Sequence, residues 1–218
     1  MPERDLASWN AIVVANHRHG TTNEVKTLIE QMPNPSSVLW TLVAGHAQQG
    51  DLDEARRVFH KISRPDAYCW NVMLAAYVNG ARGACAIELF REMDLEGVKQ
   101  EEGSYLHVLT ACSHAGMVED GVKYFVSMAE DYGLRPEKEH FGAMIDLLGR
   151  TGRLKEAEDV ARDMPSPASE VVWGILLGAC KTHDDFERGT RAGERALDST
   201  SSTITSSYVL LSNICSSL

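Results

Sequence analysis

The twenty residues from Leu109 to Met128, LTACSHAGMVEDGVKYFVSM, decide how the chain folds. Beyond Gly116, apolar or small residues recur at Val118, Gly121, Tyr124, Phe125 and Met128. Steps of three and four set such side chains on one stripe of a helix. Tyr105, eleven residues before the glycine, heads a second apolar segment. Glycine adopts the left-handed backbone that closes a helix, so the stretch reads as helix, glycine turn, helix.

The same phrase repeats in both directions. Trp9, Trp40, Trp70, Tyr105, Phe141 and Trp173 are separated by 31, 30, 35, 36 and 32 residues. About eleven residues after most of them stands Gly20, Gly50, Gly80, Gly116 or Gly152, each expected at a left-handed C′ position. A second helical stripe follows, as in Leu52, Ala55, Val58, Phe59 and Ile62, or Leu154, Ala157, Val160, Ala161 and Met164. Ala55, Ala86 and Gly121 each lie four residues before a phenylalanine, where a small side chain lets the paired helix come close. Pro33, Pro35, Pro65, Pro136 and Pro165 punctuate the ends of second helices. No segment alternates with period two over a useful length, so strands are not expected. The pattern is that of an all-α solenoid of helical hairpins.

Composition narrows the function. An apolar content of 44% supports a buried core, and no apolar run is long enough to cross a bilayer. The five cysteines are scattered without a C-x-x-C pair, which argues for reduced thiols rather than a disulfide framework or zinc cluster. The eight histidines show no ligand spacing and are expected at the surface or in hairpin packing. The formal charge of −10 is unusual for a protein that grips phosphates.

Tetratricopeptide repeats carry a Leu-Gly pair after the first-helix tryptophan, whereas Trp9 is followed there by Ile12-Val13 and Trp70 by Met73-Leu74. The chain instead resembles the pentatricopeptide repeat, in the plant form that mixes units of about 31, 35 and 36 residues. MPERDLASWNAI at 1–12 resembles the join of two short units. LTACSHAGMVEDGVKYFVSM at 109–128 and EHFGAMIDLLGRTGRLKEAEDV at 139–160 resemble the last long and last short units. VVWGILLGACKTH at 171–183 resembles the first extension motif, and SSYVLLSNICSSL at 206–218 resembles a second one broken off early. Both ends therefore look cut. The resemblance implies a right-handed, tetratricopeptide-like superhelix with five repeats at 6–36, 37–66, 67–101, 102–137 and 138–169. Residues 170–218 follow as extension motifs. Without complete caps, the ends are expected to promote self-association.

Proteins of that family bind single-stranded RNA, one base per repeat. The resemblance implies that the readers are the residue after the first-helix aromatic and the last residue of the unit. Carried over, the pairs are Asn10 with Ser36, Thr41 with Asp66, and Asn71 with Glu101. Leu106 with Glu137 and Gly142 with Ser169 follow, but their first members offer no polar readout. A carboxylate accepts only from donors such as the ring N–H of guanine or uracil. Thr41 with Asp66 resembles the family's guanine pair, and Asn10 with Ser36 its pyrimidine pair, cytosine first. Asn71 suits uracil with an Asp partner, although Glu101 is one methylene longer. Asn, Thr and Asp at helix starts also serve as caps. The tryptophans head apolar stripes and are expected in the core rather than as stacking platforms.

The subgroup with extension motifs resembles organellar cytidine-to-uridine editing factors, many of which carry a C-terminal zinc deaminase. That chemistry needs H-x-E and C-x-x-C. Here His114 precedes Ala115-Gly116, His183 precedes Asp184-Asp185, and no two cysteines lie three apart. The chain is accordingly expected to be catalytically silent, with no metal or cofactor. Its expected partners are organellar RNA through residues up to 169, and a deaminase or accessory editing protein through 170–218. Pure protein docking is the alternative. Mitochondrion or chloroplast follows from the resemblance alone, since no transit peptide is visible.

Overall fold

The computed structural model describes residues 36–62 and 64–199, which form ten helices and no strand. The first expected repeat, 6–36, and the segment 200–218 thus lie almost wholly outside the described residues. Two compact units divide at Gln100 and Glu101.

The first unit holds two hairpins. One pairs α1 (Ser36–Gln49) with α2 (Leu52–Phe59), the other α3 (Ala67–Asn79) with α4 (Gly83–Leu95). Each helix packs on its hairpin mate, and α3 also packs on both α1 and α2. α2 is short, and its apolar face carries it: Leu52, Ala55, Val58 and Phe59 are all buried, while Asp53, Arg56 and Arg57 take the other face. Burying such side chains stabilises the unit by about 1.5–3 kcal/mol for each large one. Asp51 caps α2 by accepting from the Glu54 amide at 3.2 Å.

The second unit holds α5 (Glu102–Ala115) with α6 (Val118–Glu130), α7 (Lys138–Arg150) with α8 (Leu154–Arg162), and α9 (Glu170–Thr182) with α10 (Phe186–Asp198). First helices stack in order, α5 on α7 and α7 on α9, and each second helix also meets the next first helix. One continuous core joins Ile145, Leu148, Ala157, Trp173, Leu176 and Ala192 across the last two hairpins. Trp70 and Trp173 are buried, as expected of core residues. Pro65 and Pro136 stand just before the first residues that cap α3 and α7, after their second helices have ended.

Every hairpin turns in the same way. The left-handed residue donates its N–H three residues back, and its successor donates five residues back: Gly116 to Ser113 and Met117 to Cys112, for example. Gly50, Gly116 and Gly152 fill this place as the sequence implies. Gly80 does not. Its φ is −82°, and the left-handed residue is Ala81 at φ 55°. Gly80 answers a different need, because a β-carbon there would lie 2.5 Å from Leu52 Cδ1 of α2. In the last hairpin Asp184 takes the left-handed role at φ 57°.

Small residues bring the hairpins together. A β-carbon on Gly121 would lie 2.3 Å from Leu147 Cδ2 and 3.5 Å from Cys112 Cβ. The space it yields therefore serves α7 of the next hairpin first and its own mate α5 second. A β-carbon on Gly149 would meet the Ala179 β-carbon at 2.7 Å, so α7 and α9 touch almost backbone to backbone. An ion-pair knot reinforces the end of this unit. Buried Glu158 on α8 accepts from Arg188 at 2.8 Å, and Arg162 and Arg191 approach it at 3.3 and 3.4 Å. Burial pushes the Glu158 carboxyl up, but hydrogen bonds and charge from Arg191 and Arg188 outweigh it and hold the group below its ordinary range.

Candidate nucleic-acid interface

The last residues of the expected repeats fall at the same position of successive first helices. Asp66, Glu101, Glu137 and Ser169 are the N-caps of α3, α5, α7 and α9, each in extended backbone and each exposed. Five residues on, in the second turn of the same helices, come Asn71, Leu106, Gly142 and Gly174. Ser36 and Thr41 hold the corresponding register in α1, where the backbone is helical and the side chains lie outside the description. Asn10 lies outside the described residues. α1 and α3 pack together, which sets the Thr41 and Asn71 positions on adjacent first helices.

The cap positions differ in chemistry. Asp66 accepts from the Cys69 amide at 2.9 Å. That hydrogen bond, followed by one from the Cys69 thiol, holds its carboxyl below the usual range. The thiol is correspondingly pushed up to about 12, first by burial and then by Asp66. Glutamate is a weaker cap than aspartate, and here it is supported from the third helical residue. Glu101 pairs with Ser104 and Glu137 with His140 in capping boxes. The Glu101 amide donates to Ser104 Oγ at 3.3 Å, and the Glu137 amide to His140 Nδ1 at 3.1 Å. His140 is buried and also reaches the Glu102 carbonyl with Nε2 at 2.9 Å.

The fifth positions differ as well. Asn71 and Leu106 are half-buried, while Gly142 is buried with Ile175 of α9 just in contact range of a notional β-carbon. Gly174 has nothing within 4 Å of such a carbon, so α9 presents bare backbone there. Two exposed apolar side chains escaped the sequence reading: Tyr68, 59% exposed, and Val171, 70% exposed, each two residues past its cap. Tyr68 precedes Asn71 by three residues and so shares its helix face. An aromatic in the second helical position, one turn ahead of the polar Asn71, was the available signal.

The electrostatics are unfavourable for tight phosphate binding. Eight arginines, at 56, 57, 82, 150, 153, 162, 188 and 191, are paired with carboxylates of the chain itself. His107, beside Leu106, is pushed down by burial and adds no positive charge at neutral pH.

Comparison with known proteins identifies the architecture. A family model described as the PPR repeat matches residues 41–64, 68–98, 103–132 and 139–166. A mitochondrial pentatricopeptide repeat-containing protein of Arabidopsis thaliana is 40% identical over 171 residues, which is 78% of this chain and 28% of the relative. The chloroplastic relative ELI1 of the same plant is 38% identical over 180 residues, 81% of this chain and 28% of its own. The chain thus spans under a third of the length of these relatives. Among solved structures, the pentatricopeptide repeat protein PPR10 in complex with an 18-nt psaJ RNA element superimposes with a TM-score of 0.76 at 15% identity. That match covers 97% of this chain and 32% of PPR10. The PPR domain of Arabidopsis thaliana protein-only RNase P 1, in complex with tRNA, gives 0.63 at 18% identity, covering 84% of this chain and 99% of that domain. These likenesses establish the helical-repeat solenoid fold.

Proposed function

The chain belongs to the pentatricopeptide repeat family, and on that premise we propose that it reads single-stranded RNA through paired side chains, one nucleotide per repeat. The observation that carries the reading is the shared register: the caps of α3, α5, α7 and α9 expose Asp66, Glu101, Glu137 and Ser169, each five residues ahead of its helix's second-turn position. Within the first unit one such pair draws Thr41 from a first helix and Asp66 from the cap of the next; Asn71 with Glu101 is paired by sequence register alone. Asn10 with Ser36 extends the series upstream. Tyr68 supplies an exposed ring on which a base can stack beside Asn71. Two plant relatives named for mitochondrion and chloroplast support an organellar role, and the resemblance of 109–183 to editing-factor repeats supports cytidine-to-uridine editing as the process served. In this reading the chain selects the site and another protein performs the chemistry.

The last hairpin favours a second role. Gly174 offers no side chain and Val171 is an exposed apolar residue, so α9 and α10 suit recruitment of a deaminase or accessory editing protein better than base recognition. The deciding experiment is Thr41→Asn. Enrichment from a random pool of single-stranded RNA is expected to move from guanine to uracil at one position and nowhere else. An unchanged preference leaves protein docking as the function.

A further inference from the structure

We infer that His140 is a positioning residue for the Leu106–Glu137 pair and makes that repeat a reader of guanine or uracil; this rests on the base-reading proposal above. The two members of such a pair sit on different helices, Leu106 on α5 and Glu137 at the cap of α7. Their geometry therefore depends on how the starts of neighbouring first helices are held. At the third residue of α3, α5, α7 and α9 stand Cys69, Ser104, His140 and Val172, all buried. The Ser104 hydroxyl serves the Glu101 amide of its own cap at 3.3 Å. His140 does this for Glu137 and also crosses to α5.

Its ring bridges the starts of the two helices that carry the pair. Nδ1 accepts from the Glu137 amide at 3.1 Å, and Nε2 donates to the Glu102 carbonyl at 2.9 Å. Glu102 is the first residue of α5, one helical turn before Leu106. Both bonds demand the neutral ring with its proton on Nε2, because an amide needs a lone pair and a carbonyl needs a hydrogen. Two hydrogen bonds to one planar, buried group fix separation and twist together. The Glu137 carboxylate is then presented from an anchored backbone, beside the apolar Leu106. An acceptor held in that way selects bases with a ring N–H donor, guanine and uracil, although Leu106 itself recognises nothing.

The wild-type chain and two His140 variants, enriched against a random pool of single-stranded RNA, test the inference. The wild type is expected to favour guanine or uracil two nucleotides from the base read by Thr41 and Asp66. His140→Ser retains a capping hydroxyl, as Ser104 does, but cannot reach Glu102. Its preference at that nucleotide is expected to fall about three- to ten-fold, the worth of one hydrogen bond, with the helical spectrum unchanged. His140→Gln, whose amide offers both an acceptor and a donor, is expected to restore the preference. Equal preference in His140→Ser and wild type overturns the inference, as does failure of His140→Gln to recover it. Nitrogen NMR of the His140 ring supplies a reading independent of RNA: one protonated Nε2 and one bare Nδ1 support the strut, and any other state sinks it. A wild type indifferent at that nucleotide, while Thr41→Asn still switches its own base, removes this inference and leaves base reading intact. No switch with Thr41→Asn removes both.

Discussion

Ala81 holds a backbone conformation in which its β-carbon crowds the following carbonyl, at a place where three other hairpins use glycine. Ala81→Gly is therefore expected to stabilise the first unit by about 1 kcal/mol, seen as a higher urea midpoint with an unchanged slope. The neighbouring Gly80→Ala should do the opposite, because Leu52 must move aside. Cys69 offers a second residue-scale check. With its thiol at about 12, it is almost wholly protonated at pH 8, and thiolate is the reacting form. Alkylation of Cys69 is expected to be slow in the folded chain and to accelerate in denaturant. Rapid labelling of native Cys69 would show that its burial at the start of α3 is not kept in solution.

Among the helices, the contact of α7 with α9 is the least tolerant of change. Gly149 faces a β-carbon of Ala179, which has no rotamer by which to yield, whereas Gly121 faces the end of a leucine. Gly149→Ala should cost about 1–3 kcal/mol despite the better helix propensity of alanine, and Gly121→Ala should cost less; thermal unfolding of the two variants ranks them. Much at this scale was legible in the chain's own order of residues. Steps of three and four located the second helices that follow Gly50, Gly116 and Gly152, and the small residues Ala55, Ala86 and Gly121 announced close packing. Gly80 misled because residue identity was read as conformation: the left-handed place lies eleven residues past Trp70, where the chain has alanine. His140 stayed hidden for another reason. Nothing local distinguishes a histidine that bonds across thirty-eight residues from one on the surface. The common register of the proposed readers came from family resemblance, while the support beneath the two glutamate caps had no sequence signal.

For the molecule as a whole, charge decides behaviour. Asp66 and Glu158 are held below their ordinary values, so their contribution to stability is complete above about pH 4.5 and is lost as pH falls through the lowered native values. His107 resists protonation when folded, which adds an earlier loss starting near its ordinary value of 6.5. Unfolding midpoints measured from pH 7 down to 3 should fall throughout, and Glu158→Gln should flatten the lower part of that curve. With a net charge of −10 and most arginines already paired, RNA binding should depend only weakly on salt. A slope of log K against log salt of about −2 or shallower is expected, since a single strand yields roughly 0.7 for each phosphate neutralised. Under the base reading proposed above, the caps also place a limit on evolution. A residue that must both start a helix and discriminate a nucleobase can be drawn only from the few side chains fit for both tasks. Retargeting such a protein by changing its terminal letters alone spends folding stability at every step, and larger letters such as glutamate require a matching partner one turn inside the helix. On that proposal specificity and foldability are written at the same positions, and neither can drift without the other.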